Sequence, residues 1–323
     1  MEPMHRQIAR ILSDEDDFLV AAHLNPDGDA HGSTVALGWL LHALGKRFTL
    51  YNVSGAPGHF DWLPAPVPVV RELPDPMPAW AITLDCGAAD RLGEDLAANL
   101  PAGRTITLDH HLGNGGFGDI NWVDVRQPAT GSMVAAIARE LGVELTGPLA
   151  DAIYLALATD TGFFTYGNTT PECLELVALL MRGGLKNAPL NHKINSRWTL
   201  NRMRLWTEVM GTVELFFNGQ VAVAAVTRAM FERTGTGVPD TDEMINFVRL
   251  LQGLRVAVLL RQDAPDRFKF SLRSFGEDNV QSIAARFGGG GHRNASGGTI
   301  MTGDLDAAKR QLVRAVGAGL ELA

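Results

Sequence analysis

The chain has 323 residues, 46% of them apolar and 20% charged, and a formal net charge of 28 − 36 = −8. At roughly 100–200 residues per domain this length predicts about two domains, and the composition excludes a disordered chain, a coiled coil and a disulfide-stapled miniprotein. The negative balance argues against a protein that coats duplex nucleic acid by bulk charge, so any polyanion must be held at a local site.

The two cysteines, Cys86 and Cys173, are too few for a disulfide framework or a structural zinc site, which points to a reducing cytoplasm. The first 17 residues lack the apolar core of a secretion signal and carry Asp14, Glu15, Asp16 and Asp17. No apolar run reaches the roughly 18 residues of a membrane span, so a soluble protein is expected. Charge is uneven: residues 1–199 hold 13 basic and 23 acidic side chains, 13 − 23 = −10, and residues 200–323 hold 15 and 13, 15 − 13 = +2. An acidic first part and a slightly basic second part suggest two domains with different tasks.

In chain order, Phe18–Ala22 reads as a buried strand, Ser33–Leu44 as a helix stopped by Gly45, and Phe48–Val53 as a second strand. Residues 55–78 are proline-rich and read as loop, followed by strands at Ala81–Leu84 and Thr105–Leu108. This alternation predicts an α/β fold, a parallel sheet with helices on both faces. Apolar helices are expected over 147–160 and from Pro171 to Met181, then a polar helical connection around Asn195–Met210. The expected division is 1–195 as the first domain, 196–211 as a helical linker and 212–323 as a smaller mixed α/β domain, with the active site in the cleft between the two. In the second domain Asn218-Gly219 separates apolar runs at Val213–Phe217 and Gln220–Val226, a strong hairpin signal. A helix over Asp240–Leu254, strands at Val256–Arg261 and Phe268–Arg273, and a helix near Val280–Phe287 lead into the glycine run 288–291.

Three strands of the first domain run straight into ligand-type residues: His23, Asp27 and Asp29 after the first, Asp85 after the strand at 81–84, and Asp109-His110-His111 after the strand at 105–108. Ligands in open parallel sheets bind outside the carboxyl ends of the strands, so these ends can converge on one crevice. Asp27, Asp29, Asp85 and Asp160 gathered there would repel one another unless cations lay between them. Two divalent ions supply +4 against these four carboxylates, with His23 and His110 as neutral nitrogen ligands. Oxygen-rich ligation suits Mg²⁺ or Mn²⁺, and the imidazoles favour Mn²⁺. Such a pair can activate a water and stabilise both oxygens of an in-line phosphoryl displacement. A lone Asp after a strand is most often a turn former or helix cap, but three strand ends carrying such residues together are hard to obtain by chance. His42 and His59 read as surface or structural residues.

The second motif is Gly288-Gly-Gly-Gly-His292-Arg-Asn-Ala-Ser-Gly-Gly298, preceded by Ser271-Leu-Arg273-Ser274. Glycines let backbone N–H groups approach an anion, and an Arg at a strand end can grip a phosphate bidentately; for glycines alone, a plain flexible loop is the simpler reading.

The sequence His23-x-x-x-Asp27-x-Asp29-Ala-x-Gly-Ser33, then Asp85, Asp109-His110-His111 and Asp160-Thr-Gly, resembles the motifs of the DHH phosphoesterase family, and the Gly288–His292 run with Ala295 and Gly297 resembles its DHH-associated C-terminal domain. The likeness spans about residues 18–300, with the motifs in order, and is greatest to the small nanoRNase/pAp phosphatase branch. It implies a two-Mn²⁺ site in which His23, Asp27 and Asp85 hold one ion and Asp29, Asp85, His110 and Asp160 the other. It further implies that Asp109 supports from behind, that His111 lies towards the substrate phosphate, and that Arg273, Ser274, Gly289, Gly290, Gly291 and His292 bind the terminal nucleotide. The implied substrates are short RNA or DNA oligonucleotides and 3′-phosphoadenosine 5′-phosphate (pAp), in a cytoplasmic protein that can form a homodimer through its first domain. His31, where the family leads one to expect an aliphatic residue, is not counted as a ligand. Rival readings are a RecJ-like single-strand exonuclease, for whose extra domains the chain has no room, and a stand-alone linear or cyclic dinucleotide phosphodiesterase. A manganese pyrophosphatase would lack the Gly-Gly-Gly-His run, and a non-catalytic nucleotide sensor would show degenerate ligands.

Overall fold

A computed structural model describes residues 2–196 and 198–322. The chain divides into two compact units, Met1–Arg197 and Trp198–Ala323. In the first, six strands form one wholly parallel sheet: β1 (Phe18–Ala22), β2 (Phe48–Tyr51), β3 (Val69–Val70), β4 (Trp80–Leu84), β5 (Thr105–Asp109) and β6 (Ile120–Val123), in the order β3-β2-β1-β4-β5-β6. The helices are α1 (Met4–Asp14), α2 (Gly28–Ala43), α3 (Glu94–Ala98), α4 (Thr130–Glu140), α5 (Gly147–Asp160), α6 (Pro171–Arg182) and α7 (Asn187–Asn195). Strand order reverses between β1 and β4, and at such a switch point a crevice opens beyond the carboxyl ends of the strands.

The central strands β1, β4 and β5 are buried along their whole length, as strands covered on both faces must be. One face carries the main core, where α1, α2, α4 and α5 pack over Phe18, Val20, Ile82 and Ile106; the other has a small cluster of Leu19, Ala21, Tyr51, Leu92 and Leu96 beside α3. Helices α2, α4 and α5 approach through small residues. A Cβ at Gly32 would meet the Ala152 carbonyl at 2.7 Å, and one at Gly131 would meet Ala156 Cβ at 2.4 Å. This closeness holds the C-terminus of α5, and with it Asp160, against the N-termini of α2 and α4.

The sheet of the second unit is mixed. Its strands β7 (Glu214–Phe216), β8 (Val221–Val226), β9 (Val256–Ala264), β10 (Arg267–Ser274), β11 (Gly290–His292) and β12 (Ala295–Met301) lie in the order β11-β12-β10-β9-β8-β7, and only β8 and β9 are parallel neighbours. Its helices are α8 (Leu200–Met210), α9 (Arg228–Thr234), α10 (Met244–Val248), α11 (Val280–Ala285) and α12 (Leu305–Leu320). Strand β8 alternates, sending Val221, Val223 and Ala225 to the core under α11 and α12, and Ala222, Ala224 and Val226 to the core under α8 and α10. Helix α8 buries Leu205, Trp206 and Val209 in that second core.

Several local expectations change. Helix α2 begins at Gly28 rather than Ser33, because the Asp27 side chain caps it by accepting from the N–H groups of Asp29 and Ala30 at 3.1 and 3.0 Å. The proline-rich 55–78 segment holds a 3₁₀ turn at Gly58–Phe60 and edge strand β3, a place where a neighbouring Pro68 costs no sheet bond. The helix expected over Asp240–Leu254 is cut to α10, since Glu243 adopts a left-handed conformation (φ 70°) just before it. The glycine run is no open loop: Gly290–His292 pairs with β12, and Cβ atoms at Gly289 and Gly291 would meet the Gly297 and Ala295 carbonyls at 2.2 and 2.5 Å. Helices α1, α3, α4, α7, α9 and α12 and strands β6 and β12 are further elements that the sequence does not lead one to expect. Among the described residues no helix is long and apolar enough to cross a membrane.

Candidate metal centre

The site assembles at the switch point from five elements. β1 delivers His23, α2 delivers Asp27 at its cap and Asp29 in its first turn, and β4 runs into Asp85. β5 ends on Asp109 and is followed by His110 and His111, while α5 ends on Asp160. Asp85 has φ 53°, a left-handed backbone that few side chains tolerate and Asp tolerates best after Asn and Gly. The turn aims its carboxylate back over the sheet ends.

These residues meet in three overlapping groups, His23 with Asp27 and Asp85, Asp29 with His110 and Asp160, and Asp85 with His110 and His111; in each, one ligand atom per residue lies within 4.8 Å of the others. Asp85 belongs to two of the groups, at the position expected of a shared ligand. His110 is the centre of the arrangement. Its Nδ1 donates to the Gln127 carbonyl at 3.0 Å, which leaves Nε2 as a lone pair in the neutral ring. That Nε2 is buried, has no hydrogen-bond partner, and lies 3.5, 3.5 and 3.6 Å from oxygens of Asp29, Asp85 and Asp160. An acceptor facing three acceptors is repulsive unless a proton or a metal ion lies among them. His23 is built alike: Nδ1 donates to the Leu24 carbonyl at 2.8 Å, and Nε2 lies 3.8 Å from Asp85 and 4.0 Å from Asp27. The donor set, carboxylate oxygens with two imidazole nitrogens of fixed tautomer, fits divalent cations.

The electrostatics of the metal-free groups give the same answer. Burial, then the charges of Asp85 and Asp160, push Asp29 well above the carboxylate range; burial pushes Asp160 to about 6 against the pull of His110, with Asp85 and Asp27 adding to the rise. Burial pulls His110 down, but Asp85 and Asp160 outweigh it and raise it to about 9. Without a cation the cluster therefore holds protons in its place.

Side chains and backbone groups remote in sequence hold the carboxylates in position. Asp29 accepts from the N–H groups of Thr130 and Gly131 at 2.6 and 3.0 Å, so it caps α4 from 101 residues away. Thr130 Oγ1 donates to Asp85 at 3.1 Å, and Asn168 Nδ2 donates to Asp160 at 3.2 Å. Asp109, fully buried, accepts from the His110 and His111 N–H groups, from His111 Nδ1 at 2.8 Å and from Asn114 Nδ2 at 2.7 Å. Burial works against its charge, but the bonds from His111 and Asn114 win and lower it; the bond to Asp109 raises His111 in turn. None of Thr130, Gly131, Gln127, Asn114 or Asn168 was among the expected residues. Pro128-Ala-Thr130-Gly-Ser carries a helix-start signal, but nothing local says whose carboxylate it receives. His31 stays outside these groups: it is buried against Phe60, rings parallel with centroids 5.9 Å apart, and burial, with His59 adding to it, lowers it to about 4.

In the second unit, Arg273 and Ser274 close β10, beside the turn that carries the glycine run. Ser274 is buried, its hydroxyl donating to the Asp278 carbonyl at 2.8 Å and accepting from Asn294 Nδ2 at 2.9 Å, which spends it on holding this turn together. Arg293 pairs with Glu277 at 2.6 Å. Gly290 and His292 are exposed, and a Cβ at Gly290 would meet nothing, so open space lies in front of that residue.

Residues 17–157 match the model of the DHH family, N-terminal domain, and residues 218–318 match the DHHA1 domain. A relative from Thermus thermophilus named bifunctional oligoribonuclease and PAP phosphatase NrnA is 35% identical over 313 residues, 96% of this chain and 93% of its own. The chain belongs to the DHH family. This DHH protein is also similar to the Bacillus subtilis protein of the same name, 24% identical over 93% of this chain and 95% of the relative. A solved exopolyphosphatase-related protein from Bacteroides fragilis shares its fold, with a TM-score of 0.87, 24% identity, and coverage of 98% and 96% of the two chains.

Proposed function

We propose that the protein is a Mn²⁺-dependent phosphoesterase that degrades short oligonucleotides to nucleoside 5′-monophosphates and removes a phosphate from pAp. The observation that carries the metal-dependent reading is the His110 Nε2 lone pair, buried without a partner among Asp29, Asp85 and Asp160. The substrates follow from the Thermus thermophilus relative's name and its coverage of nearly the whole chain.

His23, Asp27 and Asp85 would hold one ion, and Asp29, Asp85, His110 and Asp160 the other. Bound there, two divalent ions supply Lewis acidity to a phosphoryl oxygen and lower the pKa of a water. The chain's own groups do the rest. Asp109 fixes the His111 ring through Nδ1, which leaves Nε2 free to reach the substrate phosphate. His111 is half exposed and can present a proton there. In the second unit, Arg273, with the backbone around Gly289, Gly290 and Gly291 and the exposed His292, would bind the nucleotide that is not attacked, and Ser274 would keep that turn in shape. Residues 1–195 would carry the catalysis and 212–323 the substrate grip, with 196–211 joining them. Two imidazoles among the ligands favour Mn²⁺ over Mg²⁺. The reduced cysteines, both buried, suit a cytoplasmic protein. A homodimer through the first unit completes the reading.

The test offers purified protein with Mn²⁺ end-labelled RNA of two, five and twenty-four nucleotides, and pAp in parallel, with Asp85→Asn as the control. Mononucleotides released quickly from the short RNAs and slowly from the long one, phosphate from pAp, and a dead control are expected. Efficient degradation of the long RNA would move the protein to a RecJ-like exonuclease, and inactivity with bound Mn²⁺ would overturn the reading.

A further inference from the structure

In the second unit Arg233 pairs with Glu208, Arg255 with Asp278, Arg261 with Asp263 and Arg293 with Glu277, all at 2.6–2.7 Å. Arg249 and Arg273 are set apart by lying next to each other. They lie close enough that, after burial, the charge of Arg249 is what most lowers Arg273. Among the described residues neither has a carboxylate within ion-pair distance; Glu243 acts on Arg273 from farther off, and its carboxylate accepts from Asn246 Nδ2 at 2.7 Å. Arg249 Nε is buried and has no hydrogen-bond partner. Arg273 NH1 donates to the Leu272 carbonyl at 3.1 Å, which uses one of the five donors of its guanidinium. Two guanidinium groups held together with donors to spare can share one anion.

The neighbouring surface says what kind of anion. Phe275, two residues after Arg273, is 49% exposed, and the Arg249 guanidinium lies over its ring at 4.8 Å. An aromatic plane that is open to solvent and joined to a cationic pair matches a molecule with a flat π-system next to a phosphate. We propose that Arg249 and Phe275 form, with Arg273, a nucleoside phosphate subsite: the arginines hold a substrate phosphate other than the one hydrolysed, and Phe275 supports the base. The subsite rests on the proposed function and names two residues that the sequence motifs do not include. It predicts a preference for substrates carrying a second phosphate, pAp or a 5′-phosphorylated dinucleotide, over a mononucleotide.

The experiment uses the full chain in two assays. Calorimetric titration of the Ca²⁺-loaded protein, checked to be without turnover, with pAp and with AMP reads binding, and steady-state kinetics with Mn²⁺ on pAp and on a 5′-phosphorylated diadenylate read KM and kcat separately. Arg249→Gln is expected to weaken pAp binding and raise KM about tenfold or more, the loss of a charge-assisted phosphate contact, with kcat changed much less. Phe275→Leu is expected to raise KM severalfold, and Phe275→Tyr to restore it. Phe275 is exposed and Arg249 partly buried, and thermal unfolding checks that the variants stay folded. Unchanged pAp binding in Arg249→Gln and Phe275→Leu, or no pAp binding by the wild-type chain, would overturn the subsite. Binding that these variants weaken, without hydrolysis by the wild type, would uphold the subsite and remove the proposed activity instead.

Discussion

Gly131→Ala tests whether helix contact geometry sets the metal centre. The new Cβ would lie 2.4 Å from Ala156 Cβ, whereas carbon atoms rest at about 3.5–4.0 Å, so α4 and α5 must part by about 1 Å or more. Gly131 N–H now donates to Asp29, on α2, at 3.0 Å, and a displacement of that size along the bond would carry it to about 4 Å, outside hydrogen-bond range. Overpacking costs about 1–3 kcal/mol, and losing a bond to a buried carboxylate about 1.5–3 kcal/mol. The expected loss is therefore about 2.5–6 kcal/mol, accompanied by weaker metal uptake because Asp29 is no longer held at the start of α4. Gly167→Ala is the control, since a Cβ there meets nothing and its backbone is not left-handed; its effect should stay within about 0.5 kcal/mol. Urea unfolding of metal-free protein gives the stabilities, and calorimetric titration with Mn²⁺ gives the uptake. If Gly131→Ala matched Gly167→Ala in both, the argument from close helix packing to ligand placement would be refuted.

Three further outcomes follow from the electrostatics. Asp29 and Asp160 are raised in the metal-free protein, so the stability they contribute is present below their unfolded pKa and is lost as pH rises through about 6 for Asp160; for His110 the loss comes as pH rises through about 9. Metal replaces those protons, so the rise in melting temperature on adding Mn²⁺ should be larger at pH 7.5 than at pH 5, and an equal rise at both would contradict the shared site. Asp109→Asn removes the charge that raises His111, so the His111 ring, followed by NMR in the Mg²⁺-loaded protein, should titrate at lower pH than in the wild type; no change would mean that Asp109 does not tune it. Asp85→Asn keeps a residue that tolerates the left-handed backbone and removes one charge from the cluster. Its metal-free form should melt above the metal-free wild type at pH 7.5 and gain little from Mn²⁺, while a normal gain would show that Asp85 is no shared ligand.

Strands β1, β4, β5 and β8 were legible because burial on both faces leaves short apolar runs, whereas the partly exposed β3, β6, β11 and β12 were not; the six candidate ligands were legible because each follows such a run or ends an apolar helix. Helix α4 was not, although Thr130-Gly-Ser opens it, because its cap comes from Asp29 and a cap from another element leaves no local trace. The same reason hid Gln127, Asn114 and Asn168, whose roles exist only once the strand ends meet. The start of α2 was misplaced because Asp27-Gly28-Asp29 has the composition of a turn, while the Asp27 carboxylate makes it the first turn of a helix. Gly288–Gly291 reads as flexible chain by composition; its strand appears only when Gly297 and Ala295 bring their carbonyls too near for any side chain. Ser274 looked available beside Arg273 for a related reason: alternation along a strand tells which face a residue takes, not that Asn294 and Asp278 will occupy its hydroxyl.

The carboxylates of the centre serve two purposes at once, and that duty explains how so much negative charge is kept in place. Asp27 caps its own helix, Asp29 takes two N–H groups at the start of α4, and Asp109 takes the N–H groups of the two histidines that follow it. Helix N-termini carry positive partial charge, so part of the repulsion is met by the backbone before any cation arrives. Each carboxylate is thereby fixed in place, His23 and His110 are fixed by carbonyl bonds at Nδ1, and His111 by the Asp109 carboxylate. What the backbone does not neutralise, chiefly the face shared by Asp29, Asp85 and Asp160 around His110 Nε2, is the part left for a divalent ion. The destabilising groups are thus concentrated at one point, and the close-packed helices α2, α4 and α5 keep that point from collapsing or spreading.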